Sequence, residues 1–237
     1  MNLLSWLFTV GLIVGVPVLS LRSVASIASF PGTRAALYLN ASATLWLLGL
    51  AGWLVIFLGG RPLGEGISGA GPSSTGPGGL ALWSVGLTAA GLIIFTASRL
   101  LGRRFGWKES ASLEWLRPRG PRDALLLACV LAPSAGICEE FLYRGFLPAR
   151  LGMLGTLPAA VVCSAAFGAA HLHQGWPGGL RAALVGFLLA GPPLLAGSII
   201  PSMIAHTAID ILATLLVWPL LERRGPEPRP AGGSRAA

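Results

Sequence analysis

Two adjacent carboxylates, Glu139 and Glu140, close an apolar run that begins near Ala124, and Arg144 follows within the same run. An ionised group at membrane depth costs a few kcal/mol, so it marks function and has a partner. On a helix, Glu140 and Arg144 are one turn apart and can pair. Glu139 points about 100° away from Glu140 and is left to face something else. The chain has three histidines, His171, His173 and His206. Two of them sit in apolar four-residue spacings, Phe167-Gly-Ala-Ala-His171 and His206-Thr-Ala-Ile-Asp210, which place both ends on one helix face. His173, two residues beyond His171, points elsewhere and reads as an interfacial histidine. Carboxylates and imidazoles on three apolar segments suit two chemistries. One is hydrolysis, with a Glu as base for a water and nearby donors steadying the oxyanion. The other is binding of a divalent metal such as zinc, with Glu139, His171, His206 and Asp210 as candidate ligands. Neither His-Glu-x-x-His nor Gly-x-Ser-x-Gly occurs. Cys129, Cys138 and Cys163 lie in apolar spans without Cys-x-x-Cys spacing and read as small packing residues.

The elements that position these groups are membrane helices. Of the 237 residues, 54% are hydrophobic and 11% charged, far below the quarter or so of a soluble domain. The predicted fold is all-α, a polytopic membrane bundle of about seven helices. The predicted spans are Leu3 to Leu21, Leu37 to Leu58, Leu80 to Leu101, Asp123 to Leu147, Leu154 to Leu172, Leu180 to about Ser198, and Ile199 to Leu221. Gly191-Pro192-Pro193 breaks or kinks the sixth. Gly11-x-x-x-Gly15 in the first span predicts a close helix contact. Residues 59–79, rich in Gly, Pro and Ser, read as a loop. The stretch from Arg103 to Arg122 reads as containing a short amphipathic surface helix, or else as a solvated basic loop. The organisation expected is N-terminal helices and loops over 1–120, a catalytic helical core over 121–221 and a disordered basic tail over 222–237. The net charge of +8 is placed between apolar spans, so it points to topology rather than to nucleic acid. Nearly all Lys and Arg fall on one side, with Arg61 and Arg150 on the other and Arg144 within a span. The positive-inside rule then puts the N-terminus outside and the C-terminus in the cytoplasm. On these boundaries Glu139 lies about 25 Å along the fourth span and His171 near the inner end of the fifth, at ~1.5 Å per residue. Shifted boundaries, tilt or re-entrant geometry must close that gap.

Glu139-Glu140-x-x-x-Arg144, Phe167-x-x-x-His171 and His206-x-x-x-Asp210, in this order on three apolar helices, resemble the three motifs of the CPBP family. That family comprises CAAX prenyl endopeptidases and bacteriocin-processing or immunity proteins, also called the Abi family. The resemblance covers roughly Leu125 to Leu215. It implies a glutamate-dependent intramembrane endopeptidase that acts on a membrane-associated protein or peptide, prenylated or not, with or without a metal. By resemblance, Glu139 is the base, His171 helps hold the water, and His206 and residue 210 contact the oxyanion. Glu140, Arg144 and Phe167 support the site. The prenyl endopeptidases carry Asn at the position of Asp210, and an ionised Asp has no proton to donate to an oxyanion. Asp210 could instead orient His206, bind a metal or stay protonated. The expected partners are the substrate and the lipid bilayer, and the expected location is the plasma membrane of a bacterium. The alternatives are a non-catalytic immunity or scaffold protein that binds another membrane polypeptide through the same helices, and a proton or ion carrier. The carrier ranks last, because no paired repeat is visible.

Overall fold

The computed structural model describes residues 2–28, 32–62, 64, 67, 76–108 and 110–223, so the tail beyond Arg223 and much of the 59–79 loop lie outside the described residues. Among the described residues the elements are helical. The first, α1, runs as Leu3–Val10, a π-helical turn Gly11–Gly15, and Val16–Ala28. Thr33 caps α2, Arg34–Leu58, by accepting from Ala36 N at 3.2 Å. Next comes α3, Pro77–Phe105, with proline in its first turn where no N–H is needed. The short surface helix α4, Ala111–Leu116, follows Ser110, whose hydroxyl accepts from Ser112 N.

The helix α5 carries the acidic pair. It passes without a break through Pro121–Leu126, Leu127–Leu131, Ala132–Glu140, Phe141–Phe146 and Leu147–Leu151, the second and fourth pieces π-helical. A tight turn at Gly155, φ 86°, reverses the chain into α6, Thr156–Ala170. Another at Gly175, φ 90°, leads into α7, Trp176–Leu189. As the sequence requires, the Gly-Pro-Pro stretch ends α7, and Gly191–Leu195 forms a separate short helix, α8. Last is α9, Ile200–Leu212, continued by Ala213–Val217 and Trp218–Arg223.

Among the described residues six helices are long and apolar enough to cross a membrane, and α6 is a further apolar helix of 15 residues. The bundle is thus an all-α integral membrane protein. α5 extends past Leu147, because Arg150 is buried with its guanidinium 4.8 Å from the Phe146 ring rather than solvated in a loop. α6 starts only after the Gly155 turn. These shifts close the depth gap. Counted from that turn, Glu139 lies sixteen residues before and His171 sixteen after, each about 24 Å away at ~1.5 Å per residue.

The predicted close contact at Gly11 and Gly15 is not made, since a β-carbon at either would meet nothing within 4 Å. The close approaches lie in the core instead. A β-carbon on Gly136 would stand 2.8 Å from Met203 O, where α5 meets α9, and one on Gly168 would stand 2.7 Å from Gly179 O, where α6 meets α7. Lipid-like packing without a hydrophobic drive between helices relies on such small-residue seams.

Candidate active site

The site forms where α5, α6 and α9 meet. Glu140 is fully buried. One of its oxygens, Oε1, lies 3.0 Å from Arg144 Nη1 and 2.7 Å from His206 Nδ1. The first contact is the pairing expected along the helix. The second crosses from α5 to α9 and has no local signature in the sequence. A carboxylate only accepts, so the Nδ1–H of His206 donates to it and Nε2 faces the other way. His171 is fixed likewise. Its Nδ1 donates to Phe167 O at 2.8 Å, the bond that four-residue spacing on α6 permits, and its Nε2 also faces inward.

Both Nε2 atoms point at Glu139. Its Oε2 stands 3.9 Å from His171 Nε2 and 3.8 Å from His206 Nε2, and it has no hydrogen-bond partner of its own. These separations are too long for direct hydrogen bonds and short enough for one water to contact both partners at ~2.8 Å. Asp210, one turn beyond His206, brings Oδ2 to 3.6 Å from His206 Nε2. Glu139, His171, His206 and Asp210 thus share one locus, with Glu140 and Arg144 behind it.

Phe167 is the floor. Its ring centroid lies 4.4 Å from that of His171, 5.8 Å from that of His206 and 5.2 Å from that of Tyr143, and Arg144 stacks over it at 4.3 Å. His173 lines the cavity beside Glu139 and His171, and its own hydrogen bonds run elsewhere. Its Nδ1 is 2.9 Å from Ser20 Oγ, which itself donates to Ala170 O, so it staples α1 to the loop after α6. Burial, and then the neighbouring His171, lowers its pKa to about 4, so it stays neutral.

A cavity of about 100 Å³ opens beside Glu139 and His171, walled by Leu12 and Val16 of α1 and Leu45 and Leu48 of α2. The motif reading left these two helices unassigned, because an apolar wall looks like any other membrane-helix residue. A larger cavity, about 410 Å³, lies on the far side of Tyr143 and Arg144 among small residues and touches neither Glu139 nor the histidines of the site. The smaller one is the one with chemistry in it.

Among the described residues no group of three or more His, Cys, Asp or Glu is gathered to hold a metal ion. The separations of 3.6 to 3.9 Å are suited to a shared water.

A helical membrane bundle with a glutamate and two oriented histidines inside it has the groups that hydrolysis within a membrane needs. Residues 121–212 match the family model of type II CAAX prenyl endopeptidase Rce1-like proteins. No curated protein and no solved structure matches the chain. Over that stretch, from the start of α5 to the end of the regular part of α9, the chain is similar to CAAX-type intramembrane proteases.

Proposed function

We propose that the protein is a glutamate-dependent intramembrane endopeptidase that hydrolyses a peptide bond in a membrane-associated substrate. The observation that carries this reading is the placement of Glu139 Oε2 opposite two Nε2 atoms, each belonging to an imidazole whose Nδ1 is tied down. A water held between Glu139 and His171 passes a proton to the Glu139 carboxylate as its oxygen attacks the carbonyl carbon. His206, when doubly protonated, donates from Nε2 to the developing oxyanion. Glu139 then returns the proton to the leaving amine as the C–N bond breaks. Glu140 holds His206 in the productive orientation, the part that a buried carboxylate takes beside a catalytic imidazole. Asp210 cannot share the oxyanion role while ionised. The N-terminus outside and the C-terminus in the cytoplasm complete the proposal, on the asymmetry of Lys and Arg.

The test is cleavage by the purified protein in detergent of a library of membrane-anchored peptides, farnesylated CAAX-type peptides included, with and without chelator. Glu139→Gln keeps the shape of the side chain but cannot take a proton from water. It should lower turnover by ~10²–10⁴ or more at unchanged folded yield. Full activity in this variant would leave the non-catalytic immunity or scaffold protein in place of the enzyme.

A further inference from the structure

The site gathers more carboxyl groups than fixed cations. Glu139, Glu140 and Asp210 contribute three carboxylates, and Arg144 one fixed cation, with His206 a second when doubly protonated. Glu140 is taken up by Arg144 and His206, and Glu139 faces the two imidazoles. Asp210 is placed differently. Its side chain is 42% exposed, and its one ion pair among the described residues, to His206 Nε2, is stretched to 3.6 Å. Behind it, Oε2 of the fully buried Glu140 and Oε2 of Glu139 have no hydrogen-bond partner. Excess charge of one sign in a low-dielectric site raises the affinity for an opposite charge brought by a ligand.

We propose that Asp210 makes the site select peptides with a lysine or arginine side chain beside the scissile bond, whose cation docks on the exposed side of the Asp210 carboxylate. This rests on the peptidase reading and names its substrate class. A neutral lipidated C-terminus leaves Asp210 unpaired, whereas a basic side chain pairs it as the substrate seats. Lysine suits the geometry, because its ammonium is a point charge on a flexible stem and needs no planar match.

The experiment takes a membrane-anchored peptide that the wild-type protein cleaves and scans lysine against its uncharged analogue norleucine through the residues around the cut, with chelator present so that the peptide supplies the only added cation. At one position lysine should raise kcat/KM about tenfold over norleucine. In Asp210→Asn the ratio should fall to about one, and in Asp210→Glu it should persist. If Asp210→Asn turns over neither peptide, the same pair is titrated by fluorescence anisotropy against His171→Ala and against His171→Ala/Asp210→Asn. The tenfold preference in binding should be present in the first and absent in the second. Equal handling of lysine and norleucine by the wild type, or a preference that survives Asp210→Asn, overturns the proposal while the peptidase reading stands. Wild-type cleavage rates in Glu139→Gln overturn the peptidase reading itself, and this proposal with it.

Discussion

Glu140 decides more than its neighbour along the helix. It joins Arg144 of its own helix to His206 of α9 through a single oxygen, and all three side chains are buried. Breaking a buried ion pair from one side leaves an uncompensated charge and costs about 3–5 kcal/mol. Glu140→Gln should therefore lower the thermal midpoint of the detergent-purified protein sharply, whereas Glu139→Gln leaves it nearly unchanged. It should also lower turnover per folded molecule, because His206 exchanges a charged acceptor for a neutral amide oxygen that holds its doubly protonated ring less strongly. A variant that melts like the wild type would show that Arg144 has another partner. The pairing of Glu140 with Arg144 and the separate facing of Glu139 were legible from spacing on a helix. The hold on His206 was not, because it joins residues 66 apart and nothing in either segment marks the other. The same holds for Phe167. It reads as packing, and its role as common floor for two imidazoles, a guanidinium and Tyr143 exists only once three helices have met.

At the scale of the element, the site depends on how closely α5 and α9 approach. Gly136 lies one turn before Glu139 and Glu140, against Met203 and Thr207, which flank His206. Thr207 Oγ1 reaches across to Ala132 O at 3.5 Å, so the seam is polar as well as tight. Adding one methyl group in Gly136→Ala would push backbone against backbone. Overpacking of this kind costs typically ~1–3 kcal/mol, and here it also withdraws His206 from Glu139. The variant should lose activity out of proportion to its loss of stability, with kcat falling at least tenfold. Gly11→Ala, on a glycine with open space around it, should change neither. Equal behaviour of the two variants would mean that the α5–α9 spacing does not set the chemistry. The sequence pointed to Gly11 and Gly15 through their regular spacing, and the contact is elsewhere because glycine is abundant, with thirty-three in the chain. Hydropathy located the helices well and their ends poorly. α5 ran on past its predicted end because Arg150, taken for a loop residue, is buried over an aromatic ring.

At the scale of the molecule, the two ends of the bundle differ. At one end Arg34 Nε donates to Arg117 O at 2.8 Å, Arg117 pairs with Glu222 at 2.6 Å, Arg103 donates to Leu221 O at 2.6 Å, and Arg99 stacks over Trp218 at 4.5 Å. These contacts tie α2, α3, α4 and the end of α9 into one basic rim. The same rim closes over the site, since Ser112 Oγ donates to His173 O at 2.5 Å and Ser110 N to Gln174 O at 3.1 Å, two and three residues past His171. The opposite end carries the Gly155 turn. A rim this basic is held on the cytoplasmic side by the rule that short positive loops are not translocated. A reporter that works only in the cytoplasm, fused after Arg223, should therefore be active, and one that works only outside should be silent there. Fused ahead of Leu3, the two reporters should exchange behaviour, because α1, α2, α3, α5, α6, α7 and α9 make an odd number of passes if the 15-residue α6 crosses with the six long helices. Matching behaviour of one reporter at both ends would mean an even number of passes, with the six long helices crossing and α6 not. The reverse pattern at each end would place the basic rim, and the site beneath it, on the outer face of the membrane.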